Sequence, residues 1–153
     1  MSTLYFKNAI IATEEEVFPG GLVIEGEQVV SLVKGNVDVK ADLVEDLNGR
    51  FLLPGLVDDH AHFNEPGRTH WEGYLTGSMA AAAGGITTVL EMPLNSTPPT
   101  INRAQLLRKR QVVKDQAVID YAQWGGLVNN NLEDLADLHE DGVVGYKAFM
   151  SNS

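Results

Sequence analysis

The sequence contains no cysteine. Disulfides, thiolate metal ligands and a cysteine nucleophile are therefore excluded, and any metal must be held by histidine, carboxylate or a rarer donor. Positive charge is scarce, with 11 Lys+Arg against 21 Asp+Glu and a formal net charge of −10. A surface that acidic repels phosphate backbones and anionic lipid, so neither nucleic acid nor a membrane is expected as a partner. No apolar run approaches the ~20 residues needed to cross a bilayer. The opening Met1-Ser2-Thr3-Leu4-Tyr5 also lacks the basic-then-apolar pattern of a secretory leader, and the cytoplasm is the expected compartment. Internal repeats and low-complexity segments are missing too. What is there is a chain of 153 residues, 44% hydrophobic and 21% charged, the size and composition of one ordinary globular domain.

Up to Pro54 the pattern is one of short strands. Runs at 4–6, 9–11, 21–24 and 28–33 are apolar and rich in β-branched residues, separated by polar breaks such as Glu25-Gly26-Glu27. This predicts a small antiparallel β unit over 1–54. After Pro54-Gly55, strands at 56–63, 86–92, 117–122 and 143–150 alternate with helices near 72–84, 101–114 and 131–140. Strict alternation implies parallel strands with helical crossovers, hence an α/β layer or barrel over 55–153. Glu14-Glu15-Glu16 reads as a solvated turn, and Arg108-Lys109-Arg110 as cations complementing the C-terminal end of a helix dipole. Asn129-Asn130-Asn131 reads as a loop supplying an N-cap. Gly84-Gly85 fits neither a P-loop nor a dinucleotide fingerprint, and helix termination explains it better.

The chemistry concentrates in Val57-Asp58-Asp59-His60-Ala61-His62. In a strand, residues i, i+2 and i+4 share a face, and the rise puts His60 and His62 about 6.6 Å apart at their backbones. Both imidazoles can converge on one metal, and Asp58, on the same face, can orient a ligand or its hydrogen-bond partner. The bland alternative is a pair of satisfied histidines at a strand end. Placement at the C-terminal end of the first strand of an α/β run favours the metal, because barrel chemistry gathers there. Lys147 is the only charged residue of Val143-Val144-Gly145-Tyr146-Lys147-Ala148-Phe149-Met150. A parallel strand is normally buried on both faces, where an ammonium is expensive unless paired or neutralised. Either Lys147 snorkels to solvent, or its neutral amine has taken up carbon dioxide as a carbamate able to bridge two metal ions.

These residues together resemble the amidohydrolase superfamily and, within it, the cyclic amidases that include dihydroorotase, hydantoinase and allantoinase. Pro54-Gly55-Leu56-Val57-Asp58-Asp59-His60-Ala61-His62 is similar to the superfamily's opening strand, and Lys147 stands where these enzymes carry a carboxylated lysine. Phe63-Asn64-Glu65-Pro66-Gly67-Arg68-Thr69-His70-Trp71-Glu72-Gly73-Tyr74 and the segment from Ala83 to Thr100, with its Glu91-Met92-Pro93-Leu94-Asn95, are similar to the allantoinase signature. Dihydroorotases place a substrate-carboxylate arginine where this chain has Asn64, and hydantoinases lack both the Glu-Pro-Gly-Arg and Met-Pro-Leu-Asn runs. The resemblance thus implies ring opening of allantoin to allantoate. The alternatives are another cyclic amidase or, from a different class, a non-catalytic scaffold homologue.

The same resemblance implies two divalent cations, usually zinc, held by His60, His62 and a carbamate on Lys147, with further ligands and a proton-shuttling aspartate outside this chain. It also implies a cyclic ureide as substrate and a homo-oligomer, a tetramer. Asn64 and Asn95 are candidate substrate-contacting groups; turn chemistry is their alternative. Arg68 and Glu72 are expected to tie the loop together, Trp71 to pack, and His70 and His139 to lie outside the site. A (β/α)8 barrel takes ~250 residues, so the residues from Gly55 onward suffice for about three strand–helix units. The expectation is an N-terminal fragment comprising part of a β-sandwich and the first part of a TIM-type barrel. An open half-barrel would leave strand edges unpaired, which is why a fragment is expected, and it should be inactive alone because the remaining metal ligands are missing from it.

Overall fold

Strand β1 (Thr3–Ala12) organises the first unit, and a computed structural model describes it within residues 2–150. Its Tyr5, Ala9 and Ile11 point inward and are almost completely buried. The 4–6 and 9–11 runs are thus one strand, interrupted by a bulge between Phe6 and Ala9 where Asn8 takes φ 54°. β2 (Val17–Glu25) pairs with it antiparallel, and β3 (Gln28–Lys34) pairs antiparallel with β2. The expected purely antiparallel unit needs correction. β4 (Leu43–Asp46) and β5 (Phe51–Leu52) both run parallel to β1, giving the order β3-β2-β1-β4 with β5 also on β1. Once β2 occupies one edge of β1, the returning chain finds backbone donors and acceptors free only on the other. Ala9, Ile11 and Phe18 form this unit's core with Leu22, Leu47 and Leu52.

The chain divides into two compact units, Met1–Pro54 and Gly55–Ser153. In the second, β6 (Leu56–Ala61), β7 (Ile86–Glu91) and β8 (Asp120–Gln123) lie parallel in the order β6-β7-β8. Helix α1 (Tyr74–Ala83) connects β6 to β7, and α2 (Arg103–Val113) connects β7 to β8. After β9 (Gly125–Gly126) come a 3₁₀ turn (Leu132–Asp134), α3 (Leu135–Glu140) and β10 (Tyr146–Lys147), which is parallel to β9. Parallel strands with helical crossovers make this an α/β arrangement, as the alternation implied. Gly84 and Gly85 end α1, with Gly85 at φ 85°. Asn102 caps α2, its side chain accepting from the Gln105 amide at 3.0 Å.

Two expected strands are shorter than their apolar runs. β10 keeps only Tyr146–Lys147 of 143–150, because Val143 is spent packing on Leu106 and Leu138 and the Val144 amide bonds the Gln123 carbonyl at 3.0 Å. β8 starts at Asp120 rather than 117, since Ala117 and Ile119 pack against the Phe63, Tyr74, Val89 and Val113 cluster. The Tyr74 ring stands edge-on to Phe63 and to Tyr121, with centroids 5.1 and 5.2 Å away. Fully burying a side chain of this kind contributes roughly 1.5–3 kcal/mol. Among the described residues no helix is long and apolar enough to cross a membrane.

Candidate metal centre

β6 delivers its last residues to one end of the parallel sheet. His60 lies within the strand and His62 just beyond it, one pleat apart, with ring centroids 5.3 Å apart and planes tilted by 50°. The side chain of Lys147, 87 positions later, comes to the same place, its Nζ 3.3 Å from His60 Nε2. The tertiary fold thus brings together the three side chains expected to ligate metal. Lys147 is half-buried rather than enclosed on both faces, and its ammonium lies 5.2 Å from the Phe149 ring centroid. The two-residue β10 leaves it at the strand end, where the buried-strand expectation fails.

The His62 imidazole sits below its ordinary pKa of 6.5, first because burial penalises its charged form and then because His60, Lys147 and Lys109 lie nearby. Its Nδ1 is buried without a hydrogen-bond partner. An imidazole with an unused ring nitrogen is the form that binds a cation, so His62, with His60 beside it, fits a metal, and Lys147 would join them only as an oxygen donor. By themselves they would make only part of a ligand shell. Among the described residues no group of three or more His, Asp or Glu side chains converges.

Asp58 accepts a hydrogen bond from the His60 backbone N–H at 3.0 Å, so its carboxylate braces the backbone that carries His60. Asn64 turns the chain after His62 at φ 58°; its Nδ2 donates to the His62 carbonyl at 3.3 Å and its Oδ1 is buried unpartnered. Asn95 is half-buried in the loop after β7. That loop clasps the one after β6, the Thr97 amide donating to the Pro66 carbonyl at 2.7 Å. Glu72 accepts from the Gly73 amide and the Thr76 hydroxyl, and the Arg68 amide donates to the Asn64 carbonyl, so both residues hold their loop. His70 and His139 are exposed. Trp71, expected to pack, is 60% exposed, with the Arg68 guanidinium 4.9 Å above its ring; the apolar face is covered by a neighbouring side chain of its own loop.

Three features depart from the sequence reading. Lys109 does not serve the end of a helix dipole: it is 1% exposed and forms an ion pair with fully buried Glu91. Leu106, Lys109 and Val113 form the buried stripe of α2, a spacing visible in the sequence but masked by the flanking arginines. Burial raises the Glu91 carboxyl and lowers the Lys109 ammonium, while each charge opposes the shift of the other. Asn131 makes no side-chain cap; it instead ties loops by accepting from the Val128 amide and donating to the Ile101 and Gly126 carbonyls. Trp124 was not singled out at all. Its indole N–H donates to the Asp59 carbonyl at 3.2 Å, next to His60, and its ring lies over Gly145, two residues before Lys147.

The family model described as Dihydro-orotase-like matches residues 49–152, more than half of the chain. The chain belongs to the dihydro-orotase-like family. This dihydro-orotase-like chain is 46% identical over 151 residues to an allantoinase from Streptomyces avermitilis, covering 98% of the chain and 34% of that protein. It is 45% identical over 150 residues to one from Deinococcus radiodurans, covering 98% and 33%. An L-hydantoinase (dihydropyrimidinase) from Arthrobacter aurescens superposes with a TM-score of 0.91 at 29% identity, covering 100% of the chain and 34% of that structure. A dihydropyrimidinase from Brevibacillus agri gives 0.79 at 25% identity, covering 99% and 34%. The chain thus spans about a third of the length of the curated relatives it matches.

Proposed function

We propose that the full-length protein hydrolyses a cyclic amide, and that this substrate is allantoin, opened to allantoate. The observation that carries the reading is the approach of Lys147 Nζ to within 3.3 Å of His60 Nε2, beside the unpartnered His62. Within it, residues 55–153 supply the first strands and helices of a (β/α)8 barrel, and 1–54 a portion of a β-sandwich. His60, His62 and Lys147 hold two divalent cations, zinc by preference, and the assembly is a homo-oligomer.

When bound, such cations polarise a carbonyl oxygen and acidify water so that it attacks near neutral pH. The chain's own part is to supply neutral donors. Burial, with His60 and Lys147 beside it, disfavours the charged form of the His62 imidazole. Lys147 would become an oxygen donor in two deprotonations: its ammonium gives one proton to solvent, the freed amine lone pair forms a bond to the carbon of carbon dioxide while one C=O electron pair moves onto oxygen, and the nitrogen then gives a second proton to solvent. Asp58 steadies the His60 backbone, while the joined loops bearing Asn64 and Asn95 border the ureide. Allantoin carries no carboxylate, which agrees with an uncharged Asn64 where dihydroorotases use arginine.

A hydantoin substrate is the second reading, favoured by the likeness to hydantoinase structures. Assaying the full-length protein against allantoin, hydantoin and dihydroorotate side by side, with metal content measured, separates these. Turnover of hydantoin without allantoin would overturn the substrate assignment. Two bound cations with no turnover of any of the three would favour the scaffold class.

A further inference from the structure

Glu91 and Lys109 pose a question that stability does not answer. The two side chains are 0% and 1% exposed and pair with each other. Replacing a buried ion pair by well-packed apolar side chains of similar volume is often neutral or stabilising. Their location suggests another use. Glu91 is the register partner of Ala61, the residue between His60 and His62, and the next amide, of Met92, donates to the Ala61 carbonyl at 2.9 Å. The Glu91 Oε2 accepts from Lys109 Nζ, while its Oε1 is buried here without a hydrogen-bond partner. Lys109 comes from the buried stripe of α2, and so ties that helix to this point. Glu65 extends the anchorage, accepting from the Tyr74 amide at 2.9 Å and from Gln116 at 3.1 Å. The backbone around His62 is thereby held from β7, α1 and α2.

We infer that the Glu91–Lys109 pair is a positioning device for His62, fixing the backbone that aims its imidazole at the metal site. The inference rests on the proposed metal reading. It also separates two roles that a single substitution would blur, because an apolar pair of similar volume preserves packing while abolishing the ion pair that ties α2 to β7 beside Ala61.

The test uses the full-length protein and the variant Glu91→Met/Lys109→Met. Thermal unfolding of the metal-free protein should be unchanged, while zinc affinity, measured by chelator competition, should fall about 10–100-fold, the usual effect of losing a group that orients a ligand. The visible absorption of the cobalt-substituted variant should change as well. Equal zinc affinity in wild type and a folded double variant would overturn the inference while leaving the metal reading intact. A wild-type protein that binds no divalent cation would overturn both. Should the double variant not fold, Glu91→Gln serves instead, read by hydrogen exchange of the Phe63 and Asn64 amides. Faster exchange than wild type supports the positioning role, and unchanged exchange overturns it.

Discussion

Gly77 sits in the middle of α1, where helix propensity alone makes alanine better than glycine by about 1 kcal/mol. Packing reverses that sign. A Cβ at Gly77 would lie 2.5 Å from both Cδ1 and Cε1 of Phe63 and 3.3 Å from Glu72 Cγ. The Phe63 ring has nowhere to go, because it is 7% exposed and enclosed with Tyr74, Val89 and Val113. Overpacking a filled core costs roughly 1–3 kcal/mol, and two ring atoms must move, so the upper part of that range applies. After the propensity gain, Gly77→Ala should lose about 1–2 kcal/mol, lowering the unfolding midpoint by roughly 2–8 °C in a chain of this size. Gly84→Ala is the control: its Cβ would meet nothing nearer than the Ala81 carbonyl oxygen at 3.4 Å, in a right-handed backbone at φ −84°. It should be neutral or stabilising by up to about 1 kcal/mol. Thermal unfolding by circular dichroism, run on both variants under the same metal conditions, decides. A Gly77→Ala protein as stable as wild type would refute the premise that Phe63 is immobile. The same clash pushes on the residue after His62, so a loss of zinc affinity should accompany the loss of stability.

The remaining expectations concern the site. Lys147→Ala in the full-length protein should abolish tight binding of the cation pair, and metal analysis still finding two ions would contradict the bridging role. The folded His62 pKa lies below 6.5, so the unfolded chain binds more protons in mild acid. The metal-free protein should therefore keep this contribution above about pH 6.5 and lose it progressively as pH falls toward the folded value. Urea midpoints at about pH 7.5 and about pH 5.5 should differ less in His62→Asn than in wild type. Trp124→Phe removes the donor to the Asp59 carbonyl and exchanges the indole for a smaller ring, and should cost at least about 1 kcal/mol in chemical unfolding. Gly145→Ala, whose Cβ would lie 2.5 Å from Trp124 Cζ3, should displace the strand bearing Lys147 and weaken cation binding further.

The parts of this protein that were legible in its sequence are those governed by neighbours along the chain. The histidine pair follows from the period of a strand, which puts His60 and His62 on one face whatever surrounds them. The helix end at Gly84-Gly85 follows from backbone conformation. The alternation beyond Gly55 follows from apolar periodicity. Partnerships across the chain were not legible. β4 is exposed at all four positions, so no inward-facing pattern announced it, and its parallel pairing depends on which edge of β1 was free. Lys109 looked like one cation among three, because its distinguishing property is the carboxylate of Glu91, placed beside it by the packing of α2 on β7. Trp124 carried no signal, since its bond to Asp59 spans 65 positions.

The sequence by itself determined which side chains could do chemistry, since donor type and strand period are properties of residues and their near neighbours. Only the tertiary structure decided that Lys147 would stand 3.3 Å from His60, because a contact over 87 positions exists only when the packing of the elements between them closes it.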